Sequence, residues 1–144
     1  MIELHLVSRW EPNRVMPVLD DLRGLLRQYA DAWPQADSFE SICRAIDDGE
    51  TQLWAMFEEG TPKFVILGKL LTTASGFKHY EIMLGAGEFR DGEIRHMADI
   101  ERYAAKRGAC AVEFTTRPGL GRLLKRHGYG KILERVSKPL ERLQ

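Results

Sequence analysis

An α/β (α+β) domain, a mixed central sheet flanked by helices, is predicted for this 144-residue chain by three patterns. Apolar runs of strand composition follow one another in mid-chain across short Gly/Pro turns, which makes an antiparallel meander. Over residues 79–129 the order becomes strand, glycine turn, helix, strand, helix, as in two parallel strands joined by a crossover helix. Apolar residues at gaps of three and four mark the connecting segments as helices. The predicted order is β-α-α-β-β-β-α-β-α-β in one domain spanning residues 1–144, a length that holds a single core.

Ile2, Leu4 and Leu6 alternate with Glu3 and His5, the period of a strand with one buried face. Pro12-Asn13 reads as a turn. Val15, Leu19, Leu22, Leu26 and Tyr29 then line one face of a helix, with Pro17 tolerated in its first turn. Trp33-Pro34 ends that segment. Asp37 and Glu40 have capping-box spacing ahead of Phe39, Ile42 and Ile46, and Asp47-Asp48-Gly49 closes this second helix.

Residues 51–57 read as a strand and 58–62 as a turn. Phe64-Val65-Ile66-Leu67 opens a longer strand, which Ser75-Gly76 turns into the next. Near-continuous apolar runs imply burial on both faces of the sheet. Tyr80-Glu81-Ile82-Met83-Leu84 forms the following strand, which breaks at Gly85-Ala86-Gly87. A helix over residues 93–107 buries Ile94, Met97, Ile100 and Ala104, turns Arg95, Arg102 and Lys106 outward, and stops at Gly108. Residues 111–114 are a strand and 120–127 a helix with Leu120, Leu123 and Leu124 inward. Gly128-Tyr129-Gly130 leads to an extended piece at 131–136.

Charge and composition narrow the function classes. No apolar run approaches the roughly 20 residues of a membrane helix, and Met1-Ile2-Glu3-Leu4-His5 lacks the basic start of a signal peptide. Cys43 and Cys110 form no disulfide framework, and His5, His79, His96 and His127 show no metal-ligand spacing. A reducing, cytoplasmic setting without membrane or metal is expected, with Cys110 in the core. Residues 1–60 hold twelve Asp/Glu against five Lys/Arg, and residues 117–144 hold eight Lys/Arg against two Glu. That polarity orients an anionic partner or simply divides two faces of one domain. The set Arg117, Arg122, Lys125, Arg126, Lys131 and Arg135 has Tyr129 as its only aromatic, so it reads as a solvated face rather than a nucleic-acid surface.

The element order, the meander, the helix after a glycine-containing strand end, and the ending Leu124-Lys125-Arg126-His127-Gly128-Tyr129 together resemble the GNAT superfamily of acyl-CoA-dependent N-acyltransferases over nearly the whole chain. The resemblance implies acetyl-CoA as cofactor and an amine as acceptor. In the family a loop of Arg or Gln, two free positions, Gly, one free position and Gly or Ala holds the CoA pyrophosphate at a helix N-terminus, where unpaired N–H groups face the anion. Here the matching stretch is Phe89-Arg90-Asp91-Gly92-Glu93-Ile94-Arg95. Arg90 matches, whereas Glu93 and Arg95 stand where small residues belong. The implied cofactor-binding set is Leu84 and Gly85 of the strand end with Arg90, Gly92 and Arg95. Asp91 and Glu93 read equally as first-turn acids that stabilise a helix N-terminus with no ligand.

Position within the resemblance makes Glu81, Glu113 and Tyr80 the catalytic candidates: a carboxylate to take a proton from the amine, and Tyr80 as an acid with His79 as an alternative base. The family's Tyr before the Gly-aromatic step is replaced by Leu124, and its Asn after the fifth strand by Thr116 or Arg117. Two functions follow from these departures. The favoured one is a GNAT-like fold that has lost efficient acetyl transfer and serves as a binding or structural component, with a protein partner or as a homo-oligomer. Small proteins of this kind are familiar from bacteriophage genomes, so the host cytoplasm or a phage virion is its expected place. The alternative is an acyl-CoA-dependent N-acetyltransferase with an atypical pyrophosphate loop.

Overall fold

The computed structural model describes residues 1–32, 37–87, 89–115, 118–130 and 138. Expectations for Trp33-Pro34, Thr116, Arg117, Lys131, Arg135 and the extended piece at 131–136 lie outside the described residues. One sheet carries the strands β1 (Ile2–Leu6), β2 (Gln52–Glu58), β3 (Thr61–Thr72), β4 (Lys78–Gly87) and β5 (Ala111–Thr115) in that spatial order. The first four pair antiparallel, and β5 pairs parallel to β4. The meander and the parallel pair are therefore as the sequence predicts.

The central strands are buried on both faces because each face has its own helices. On one face Ala55, Phe57, Val65 and Leu67 pack against Leu22, Leu26 and Tyr29 of α2 (Leu19–Ala32) and Ile42 of α3 (Phe39–Asp47). On the other, Trp54, Met56, Ile66 and Ile82 meet Ile94, Met97, Ile100 and Ala104 at the start of and along α4 (Met97–Lys106). Leu124 of α5 (Pro118–Lys125) closes that second core. Fully burying a side chain of this size contributes about 1.5–3 kcal/mol, so two such clusters fix which face of each helix turns inward. Gly108 ends α4 with φ +87°, as the sequence predicts.

Several local expectations change. Pro12 does not turn the chain; it opens a short helix, α1 (Pro12–Val15), from the N1 position, where its missing N–H costs nothing. Pro17 lies in a 3-10 turn, Met16–Val18, so α2 begins only at Leu19. The cap of α3 is Ser38, whose Oγ accepts the Ser41 N–H at 3.1 Å, and not the Asp37–Glu40 pair. Asp47 is the last residue of α3. Cys110 is exposed just ahead of β5, not in the core. Gly85-Ala86-Gly87 does not break its strand: β4 runs through to Gly87.

That continuation is a β-bulge. Between the pairs Ile66↔Leu84 and Phe64↔Gly87, β3 advances two residues and β4 three. A Cβ on Gly85 would sit 2.6 Å from the Val65 carbonyl oxygen, and one on Gly87 would strike the Lys63 carbonyl. Gly87 also has φ +115°. The glycines are there because two backbones approach too closely for any side chain.

Candidate functional site at the fork of β4 and β5

The bulge shapes a fork. Among the described residues, pairing between β4 and β5 runs from His79↔Ala111 to Met83↔Thr115, while β4 continues against β3 to Gly87. Among the described residues, the edge of β4 from Leu84 onward that faces away from β3 has no strand partner. Leu84 and Gly85 lie on this free edge, and the chain then leads past Phe89, whose ring packs 5.1 Å from that of Phe64.

A 3-10 turn, Asp91–His96, replaces the first turns predicted for the α4 helix. Arg90 precedes it in extended conformation, Gly92 and Arg95 are exposed, and open space surrounds Gly92. Glu93 does the opposite. Its side chain is 8% exposed and accepts the Arg90 N–H at 3.1 Å, while the Glu93 N–H donates to the Arg90 carbonyl at 3.0 Å. A carboxylate thus occupies an amide that an incoming anion at this helix start would use. The reading of Glu93 as a capping acid matches this geometry, and the structure adds that it is turned inward.

Glu81 and Glu113 are register partners, so their side chains leave the same face of the sheet, the one covered by α2. The Thr115 hydroxyl lies 3.4 Å from Glu81 Oε1, and His79 Nε2 lies 3.5 Å from Glu113 Oε2. The His79 ring stacks on Phe77, and its Nδ1 is buried without a hydrogen-bond partner among the described residues. Nearby, the Tyr29 hydroxyl donates to Met83 Sδ at 3.2 Å. Burial pushes the Tyr29 hydroxyl pKa up, and the charges of Asp37 and Glu81 push it further.

Tyr80 is not part of this group. It points to the α4 face, fully buried, where its oxygen accepts the Trp54 Nε1–H at 3.1 Å and its hydroxyl donates to Gln52 Oε1 at 2.9 Å. Its ring passes over Gly68, where a Cβ would strike the hydroxyl. Burial holds its pKa far above the ordinary range, against the smaller opposing effect of the Trp54 bond. Tyr80→Phe is expected to lower stability by about 1–3 kcal/mol, because Trp54 and Gln52 lose a buried partner; urea unfolding measures it.

Leu124 is buried and offers no hydroxyl. Tyr129 folds back over α5, its N–H on the Leu124 carbonyl at 3.3 Å, its ring 4.8 Å from Phe114 and its hydroxyl on Glu101 at 2.9 Å. Burial and then Glu101 raise its pKa. Tyr80 and Tyr129 thus both keep protons in the folded state that the unfolded chain loses near pH 10. Stability is expected to be unaffected by these groups below that pH and to fall as pH rises towards their higher folded values, with Tyr80→Phe showing a shallower alkaline loss.

Two hollows, of about 260 and 420 Å³, lie elsewhere, beside β1, α1 and α2. Neither is lined by Glu81, Glu113 or Arg90, so the candidate residues lie outside both hollows. Among the described residues no three His, Cys, Asp or Glu side chains converge as a metal site, and no helix is long and apolar enough to cross a membrane. Neither the inward turn of Glu93 nor the buried Nδ1 of His79 had a signal in the sequence.

No family model matches this sequence, and no curated protein sequence matches it. Solved structures do. A GCN5-related N-acetyltransferase from Ralstonia eutropha JMP134 superposes with a TM-score of 0.69 at 18% identity, covering 97% of this chain and 99% of that one. An acetyltransferase from Trypanosoma brucei gives 0.68 at 13% identity over 97% and 100% of the two chains. Glucosamine-6-phosphate N-acetyltransferase from Arabidopsis thaliana gives 0.66 at 12% identity over 98% and 99%. At these identities the likeness is one of fold: the described residues have the GNAT acetyltransferase architecture.

Proposed function

We propose that this GNAT-fold chain has lost efficient acetyl transfer and acts as a binding or structural component that engages a protein partner or further copies of itself. The observation that carries this reading is the buried carboxylate of Glu93 on the Arg90 amide. A pyrophosphate brought to this helix start would meet a negative charge where it needs an N–H. Two unit charges about 4 Å apart repel by roughly 1–4 kcal/mol, depending on screening. Arg95 adds a long side chain where close backbone approach is needed, and Leu124 removes a hydroxyl that could protonate a departing thiolate. The residues present therefore do not fit the CoA pyrophosphate.

One observation favours the competing reading, an acyl-CoA-dependent N-acetyltransferase: the glycine bulge and the free edge at Leu84 and Gly85 are intact, and Glu81 and Glu113 sit together within one face. In that reading Arg90, Gly92 and Arg95 would meet phosphate, and Glu81 or Glu113 would take the proton of an amine acceptor. Thermal unfolding with millimolar acetyl-CoA separates the two. A ligand at 100 times its Kd stabilises the native state by about 2.7 kcal/mol. No rise in Tm, and no CoA released with amines, is expected; a clear rise with CoA release overturns the proposal. Sedimentation tests the binding role, where a protein that stays monomeric and joins no larger assembly counts against it.

A further inference from the structure

The larger hollow, of about 420 Å³, has the form of a ligand site. Five stretches of chain meet around it: the 3-10 turn Val7–Arg9, α1 with the turn that follows, α2, α3 and the start of β2. Its floor belongs to the core, since Val7, Leu22, Leu26 and Leu53 are each no more than 6% exposed. Its outer wall does not. Pro12, Val15 and Met16 line it, yet no residue of α1 or of Met16–Val18 is buried, and Met16 is 64% exposed. Protein interiors pack with few voids larger than a water molecule. Apolar walls held this far apart are therefore a feature to explain, and the volume lies in the range of about 300–1,000 Å³ found for small-molecule sites.

Ten of the fourteen lining residues are apolar, so the body of a ligand must be apolar too. The other four set its polar features. Ser8 Oγ accepts the Leu53 N–H at 3.1 Å, and among the described residues no acceptor takes the Ser8 proton, which is left for a ligand oxygen. Cys43 reaches the hollow from α3 and is half-buried. Burial raises its thiol pKa, the charge of Asp47 raises it further and that of Arg23 opposes this, so the thiol keeps its proton with both charges near it. Arg23 and Asp47 are exposed at the rim and, among the described residues, make no ion pair. An entering carboxylate would meet Asp47 and an entering ammonium would meet Arg23, so neither charge is favoured.

We propose that this hollow binds a small uncharged molecule, apolar over most of its surface, with one oxygen that accepts the Ser8 hydroxyl proton. Bicyclic ketones belong to this class. The site is separate from the fork: its floor reaches β2, which β3 divides from β4. It therefore does not depend on whether acetyl-CoA binds.

The test takes 1-tetralone as the probe and the full chain carrying Cys110→Ser, which removes the exposed thiol and leaves Cys43 as the only cysteine. A ligand at ten times its Kd leaves about a tenth of the sites open, so alkylation of Cys43 by iodoacetamide should slow about tenfold, and saturably. In the unsubstituted chain Cys110 should react at an unchanged rate. An NMR titration adds a second readout at the Trp10 indole N–H, which lines the same hollow. Its 1-tetralone shift should vanish in Cys43→Phe and in Val15→Phe, each of which fills part of the space. Slowing that does not saturate, equal slowing at Cys110, or shifts that persist in a folded filled variant overturn the site; the alkylation rates decide even if neither variant folds. Tetralin, which lacks the oxygen, should bind more weakly, and equal binding refutes the role of Ser8. Tetralin-1-carboxylate or protonated 1-aminotetralin binding more tightly than the ketone refutes an uncharged ligand.

Discussion

Gly87→Ala is expected to cost at least about 3 kcal/mol of folding stability, a large part of the 5–15 kcal/mol that a domain of this size holds. Two effects add there. An L residue at φ +115° is strained, and the new Cβ would strike the Lys63 carbonyl, which is backbone within a paired strand and cannot rotate away. Gly76→Ala supplies the control: its φ is +89°, but nothing lies within 4 Å of the added carbon. It should cost only about 1 kcal/mol. Urea unfolding at matched pH reads both. Equal losses in the two variants would mean that backbone conformation alone, and not the close approach of β3 and β4, sets the cost. The consequence reaches the candidate site, because this approach is what the bulge of β4 beside Leu84 and Gly85 is built on.

Glu93→Gly should restore part of what the loop lacks. Removing the carboxylate frees the Arg90 amide and takes away a repulsion of about 1–4 kcal/mol, so acetyl-CoA affinity is expected to rise about tenfold or more over the wild type. The same change removes a capping bond, lowering stability without ligand by about 1 kcal/mol. Those opposite signs make the result specific: a lower Tm alone, and a larger ligand-induced rise. Isothermal titration with acetyl-CoA measures the affinity directly. Weaker binding in the variant would show that Glu93 does not face the pyrophosphate position, and the proposed loss of transfer would then have to rest on Arg95 and Leu124 alone.

The sheet and its helices were legible because their signals are local. The apolar runs at 53–57 and 64–67 need cover on both faces wherever they sit, and the spacing of Ile94, Met97, Ile100 and Ala104 defines a helix face without reference to its partner. The candidate site was legible only in part. Period two along β4 says that Tyr80 and Glu81 point opposite ways. It does not say that α4 will cover Tyr80, which turns a candidate acid into a buried residue bonded to Trp54 and Gln52.

Glycines in sequence likewise announce a special backbone position without choosing between a turn and a bulge. At Gly85 and Gly87 the carbonyls of Val65 and Lys63 made that choice from the neighbouring strand. By itself, then, the sequence determined the element order, the meander and the core faces. Only the tertiary structure decided that Glu93 turns inward onto Arg90, that Glu81 and Glu113 share a face without Tyr80, and that Ser8 and Cys43 reach one hollow. The physical reason is range: periodicity and propensity act within a few residues, whereas these contacts join strands and helices that packing alone brings together.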